Sequence, residues 1–123
     1  VKSNGIESCH FALFLSSMSD FIHQPVQRQP LKRKETSFGF LELLAEQDGQ
    51  PLVEFLHFET NGRNHHHDEW EVCRVTSGGG VIVVGEERVQ VQVGDTCRIP
   101  PHTDHWMEPD GHLDVMLVYL QKW

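Results

Sequence analysis

The chain of 123 residues is expected to be all-β, a single small barrel or sandwich of antiparallel strands. Three observations point there. Apolar runs of strand length recur at roughly ten-residue spacing. Clusters of Gly, Asp, Asn and Pro separate them. No stretch carries a convincing helical period.

Gln24 to Lys34 holds two prolines and four bases without apolar periodicity, and reads as an extended connector. Ser37–Glu46 and Leu52–Thr60 are apolar-rich runs around Gln47-Asp48-Gly49-Gln50-Pro51, a cluster suited to a hairpin turn. Asn61-Gly62-Arg63-Asn64 then interrupts the chain. Trp70–Thr76 and Val81–Val84 read as two strands divided by Ser77-Gly78-Gly79-Gly80, whose glycines tolerate positive φ. Val89-Gln90-Val91-Gln92-Val93 alternates strictly, as a strand with one buried face does. Arg98–Pro101, a loop through His105, and Leu113–Leu120 after the Pro109-Asp110-Gly111 turn give about seven or eight short strands in all. Residues 1–34 are expected to form an N-terminal arm and connector, and residues 35–123 the barrel domain.

Eighteen acidic against ten basic residues give a formal charge of −8, which repels nucleic-acid phosphates and anionic lipid headgroups. Neither nucleic acid nor a membrane is an expected partner. Phe11–Leu15 falls short of the twenty or so apolar residues of a spanning helix and lacks the flanks of a secretory signal. Met18-Ser19-Asp20 looks like a bacterial start, which would leave the first seventeen residues as a loosely packed or foreign arm. Cys9, Cys73 and Cys97 are odd in number and show no CxxC spacing, which indicates neither a disulfide framework nor a zinc knuckle and fits a reducing cytoplasm.

The chemistry-bearing segment is His65-His66-His67-Asp68-Glu69-Trp70-Glu71. On a strand, His65 and His67 project to one face, His66 projects to the other, and Glu71 keeps the parity of the first pair. Cys73 and Val75 continue that parity and mark it as the inner face. Two imidazoles and a carboxylate turned inward need hydrogen bonds, counter-charges or a metal ion to offset desolvation. His66 and His102 are read as solvated loop residues.

These residues, with Gly94-Asp95-Thr96-Cys97-Arg98-Ile99-Pro100 and His105, resemble the two motifs of the cupin family. The first motif is met by His65-x-His67, three residues, Glu71, six residues and Gly78; the second by Gly94, five residues, Pro100 and the closing His105. Gly79–Val93 supplies the variable hairpin between them, and the likeness spans most of Leu52–Tyr119. Three departures stand out. Gly62 lies only three residues before His65, His102 replaces the glycine of the second motif, and Pro109 replaces its terminal asparagine. The loop at His102 must therefore turn differently, or else His102 reaches toward the pocket.

The resemblance implies a double-stranded β-helix of the jelly-roll kind, with one metal ion held by His65, His67, Glu71 and His105. Three nitrogens and one oxygen suit Fe(II), Mn(II), Ni(II) or Zn(II), with iron or manganese favoured in the cell. Six-coordinate metal keeps two positions for substrate or dioxygen, so the implied function is a metal-dependent enzyme: a dioxygenase, isomerase or lyase acting on a small oxygenated, possibly anionic substrate. The alternative is a non-catalytic module that senses a small ligand. No helix-turn-helix pattern accompanies the barrel, which weighs against a DNA-reading sensor. Arg98 is a candidate partner for a substrate carboxylate and Glu69 a candidate general base, with Trp106 and Tyr119 as cavity walls and Cys73 as an inward filler. A homodimer is expected, through outward Val72 and the Ser37–Leu44 strand or a swapped arm.

Overall fold

The computed structural model describes residues 29–120. The expectations for the first seventeen residues and for Cys9 lie outside that range. Among the described residues the chain forms seven strands, β1 (Lys32–Glu35), β2 (Gly39–Gln47), β3 (Gln50–Phe58), β4 (Trp70–Val84), β5 (Glu87–Gln92), β6 (Thr96–Ile99) and β7 (His105–Leu120). No helix among them is long and apolar enough to cross a membrane.

All strand pairs are antiparallel, in the order β1-β2-β3-β7-β4-β5, with β6 also pairing with β4. The ladder does not return on itself, so the barrel is not closed by hydrogen bonds. It is nevertheless curled. Leu56 and Phe58 of β3, Cys73, Val75 and Ile82 of β4, Val91 of β5, Ile99 of β6 and Leu113, Val115 and Leu117 of β7 share one buried cluster, which a flat sheet cannot gather from one face. Each fully buried aliphatic side chain there contributes about 1.5–3 kcal/mol of transfer free energy.

Alternation along β3 and β4 decides what this interior contains. Glu54, Leu56 and Phe58 are buried while Phe55 and His57 are less so, and Glu71, Cys73 and Val75 are buried while Arg74 and Thr76 are exposed. The tight β2–β3 connection follows from Asp48 and Gly49, both at positive φ (53° and 78°), the backbone that a two-residue hairpin loop demands.

Four sequence expectations are corrected. Lys32–Glu35 is not connector but the edge strand β1, which pairs with Phe40–Leu43; its basic side chains suit an exposed sheet edge. Ser77–Gly80 does not divide two strands, since β4 runs unbroken for 15 residues beside β7. Pro109-Asp110-Gly111 likewise lies inside the 16-residue β7. Both segments are bulges: between Gly78↔Leu113 and Gly80↔Pro109, β4 advances two residues while β7 advances four. Finally, of the three alternating valines only Val91 is buried; Val89 of β5 is 38% exposed and Val93, just past its end, 60% exposed.

Gly78 shows why a glycine ends the first motif. It sits at φ 73°, and a Cβ there would fall 2.1 Å from the carbonyl oxygen of His112 on the adjacent strand. No other residue allows β7 so close.

Candidate metal centre

Two chain segments meet at one end of the curled sheet. The first, between β3 and β4, carries His65 and His67 in irregular backbone, so the parity expected of a strand is imposed by other means. Gly62 N–H donates to the Met107 carbonyl (2.8 Å), His65 and His105 exchange backbone hydrogen bonds (3.2 and 2.9 Å), and His102 N–H donates to the His67 carbonyl (2.8 Å). These strap the histidine loop onto the segment that enters β7. His65, His67 and His105 thereby converge on Glu71, near the start of β4, and one ligand atom from each lies within 4.8 Å of all the others.

Each imidazole is oriented by its own backbone. Nδ1 of His65 lies 2.8 Å from the Arg63 carbonyl, that of His67 3.0 Å from the Glu69 carbonyl, and that of His105 2.8 Å from the Thr103 carbonyl. A carbonyl oxygen only accepts, so the proton sits on Nδ1 in all three and Nε2 is turned to the common point. Glu71 Oε1 stands 3.0 Å from His67 Nε2 and 3.3 Å from His105 Nε2.

The centre is electrostatically graded from inside to outside. Glu71 and His105 are each 1% exposed, whereas His67 is half-buried and His65, though partly enclosed by the group, is the most exposed of the four. Burial pushes the Glu71 carboxyl up, but the His105 and His67 rings beside it outweigh this and hold it below its ordinary value. The hydrogen bond to Glu71 raises His67, while burial lowers His65. Among the described residues, buried Glu71 Oε2 and His105 Nε2 make no hydrogen bond. Such orphaned atoms are costly unless something binds them, and a cation held by three nitrogens and an oxygen satisfies both. The donor set therefore fits a divalent transition metal.

The other expected residues are distributed around this group. His66 points away, its Nδ1 3.1 Å from Asp104 Oδ1, as its parity predicts. His102 neither refolds the loop nor enters the pocket. It adopts φ 59°, the left-handed conformation that a glycine would take, and its exposed ring lies 3.3 Å from Asp68. Glu69 is not in the cavity; its carboxylate lies 3.7 Å from Nδ1 of His67, behind that ring as seen from Glu71. Arg98 is exposed, paired opposite Val72 between inward Cys97 and Ile99, and does not line the cavity. Cys73 is fully buried on the Glu71 face, and burial pushes its thiol well up, which leaves it a filler rather than a nucleophile.

Beside the centre lies a cavity of about 300 Å³, lined by His65 and Glu71, by Trp106 and Tyr119 as expected, and by apolar side chains of β2, β3 and β7. One wall residue escaped sequence analysis. Glu54 is 8% exposed and accepts a hydrogen bond from the Tyr119 hydroxyl (2.7 Å). Burial raises its carboxyl above the ordinary value, an effect the Tyr119 bond partly offsets. The clue was present: on a strand, Glu54 shares a face with Leu56 and Phe58.

Comparison with known proteins agrees with this fold. An RmlC-like cupin from Shewanella frigidimarina superposes with a TM-score of 0.66 at 18% identity, over 81% of this chain and 91% of that one. A predicted oxalate decarboxylase from Thermotoga maritima gives 0.63 at 16% identity, over 76% and 93%. A cupin 2 conserved barrel domain protein from Rhodopseudomonas palustris gives 0.56 at 25% identity, over 76% and 70%. No curated protein matches significantly. Residues 52–120, more than half of the chain and the stretch that carries all four converging side chains, match the cupin domain family. The chain belongs to that family.

Proposed function

We propose that this protein is a metal-dependent enzyme of the cupin type, acting on a small oxygenated molecule bound beside one divalent ion held by His65, His67, Glu71 and His105. One observation carries the reading: three histidines with Nδ1 committed to carbonyls aim Nε2 at a buried carboxylate whose second oxygen has no partner among the described residues. Hydrogen bonds of this kind fix ring orientation in histidine–metal sites generally.

A bound ion supplies a Lewis acid, or electrons for dioxygen if it is Fe(II) or Mn(II). The chain's own residues do the rest. Backbone straps and carbonyls hold the ligands in place, exposed His65 leaves the centre open toward the cavity, and the apolar walls exclude water from a substrate. Glu69 acts as a positioning residue for His67, and Arg98 has no role at the centre. Iron or manganese remains the favoured ion, with nickel or zinc able to occupy the same donors.

The test is metal content and oxygen uptake on protein purified without a polyhistidine tag. About one equivalent of metal is expected, together with Fe(II)-dependent turnover of catechols, thiols or keto acids. Metal without turnover of any of these would favour the sensing module, and no metal at all would overturn the reading.

A further inference from the structure

The cavity beside the centre has a chemistry of its own. Its volume of about 300 Å³ lies at the small end of ligand pockets, which run from roughly 300 to 1,000 Å³. Phe38, Leu41, Leu56, Phe58, Met107 and Leu117 make most of its wall. Into this apolar space the fold places two carboxylates, Glu54 and Glu71, close enough to repel each other. Glu71 has the histidines for company. Glu54 accepts from Tyr119, which donates to Oε1, and feels the His67 ring besides. The only cation among the lining residues, Arg63, is exposed and sits on the histidine loop.

We propose that Glu54 is a specificity-determining residue, which selects a ligand with an apolar body and a hydrogen-bond-donating head, an ammonium above all, and rejects one that carries a carboxylate to the same depth. This rests on the reading above, and it deepens that reading by naming the substrate class. The physical reason is twofold. The carboxylate oxygen that Tyr119 does not engage can accept a charge-assisted hydrogen bond from an ammonium or hydroxyl. Relative to Glu54→Gln, in which the charge of any bound ion is the same, an anion placed beside Glu54 meets like charge where little water screens the pair. Tyr119 occupies one carboxylate oxygen with its hydroxyl, and the charge of Glu54 rather than that bond discriminates between ligands.

The test is calorimetric titration of the zinc-loaded full chain with phenethylamine and, separately, with phenylacetate, on wild type, Glu54→Gln and Tyr119→Phe. Glu54→Gln keeps the acceptor for Tyr119 but removes the charge. It is expected to weaken phenethylamine at least fivefold and to leave phenylacetate unchanged or tighter. Tyr119→Phe, which keeps the carboxylate, is expected to retain the preference for the amine, so a misfolded Glu54→Gln would still leave a deciding result. Equal phenethylamine binding by wild type and Glu54→Gln, no phenethylamine binding by wild type, or loss of the preference in Tyr119→Phe would overturn the proposal. Zinc content of the same samples separates the two readings: amine selectivity without zinc would sink the metal centre and leave the role of Glu54 standing.

Discussion

A histidine that donates Nδ1–H to a carbonyl has only Nε2 left for a metal, and at three positions here Nε2 is turned toward Glu71. Removing one such ligand is expected to cost more than the 10- to 100-fold typical of residues that only support a ligand. His67→Ala should therefore lower zinc affinity about 100-fold or more, and His66→Ala, which faces Asp104, should change it less than about threefold, as read by competition with a chromogenic chelator. Equal losses would mean that the two rings have exchanged places. His67 also sets a direction with pH. The proton that its bond to Glu71 favours on Nε2 must leave before a metal binds, so affinity should fall as pH is lowered through the raised pKa of His67, with protons released on binding. At this scale the sequence was legible where spacing speaks, as in His65-x-His67 and Glu71. Glu54 was passed over because a carboxylate gains its meaning only from the parity of its strand, and Glu69 and Arg98 misled because candidate roles were assigned before their facing was known.

Strands β4 and β7 form the longest ladder, and glycines make its bulges possible. Gly78→Ala must place its Cβ against the His112 carbonyl at φ 73°, whereas Gly111→Ala, at φ 79°, meets nothing within 4 Å. The second should cost only the left-handed penalty of about 1–2 kcal/mol. The first should exceed it clearly, by about 2 kcal/mol or more, and lower Tm by a further ~8 °C or more in thermal melts. Similar losses in both variants would deny the close approach of the two strands. On the outer side of β3, His57 is raised above its ordinary 6.5, first by its hydrogen bond to Asp114 and then by that to Glu59. A group raised by folding stabilises fully below 6.5 and loses that contribution as pH rises through the folded value. In excess chelator, wild type should lose Tm over that window relative to His57→Gln; parallel curves would remove the ion pairs from the account. The hairpin at Asp48-Gly49 was readable because turn chemistry is local. The continuity of β4 through Ser77–Gly80 and of β7 through Pro109–Gly111 was not, because a bulge and a turn use the same residues and only the neighbouring strand decides between them.

For the molecule as a whole, one buried apolar cluster spans β3 to β7 and includes none of the four converging side chains. Metal should add stability by mass action, about 2.7 kcal/mol at a free concentration 100 times Kd, so zinc should raise Tm and chelator should reverse the shift. A shift that survives His67→Ala would place the ion elsewhere. The expected homodimer stays a proposal; the edge strand β1 is where strand addition would occur, and scattering in solution reads it directly. The central claim is that four side chains from two distant stretches of chain bind one ion. Anomalous diffraction from zinc-loaded crystals tests it most directly. The account predicts a single strong peak about 2.0–2.2 Å from Nε2 of His65, His67 and His105 and from a Glu71 oxygen. A peak at His57 and His112 or at His66 and His102, or no peak at the centre, would contradict it.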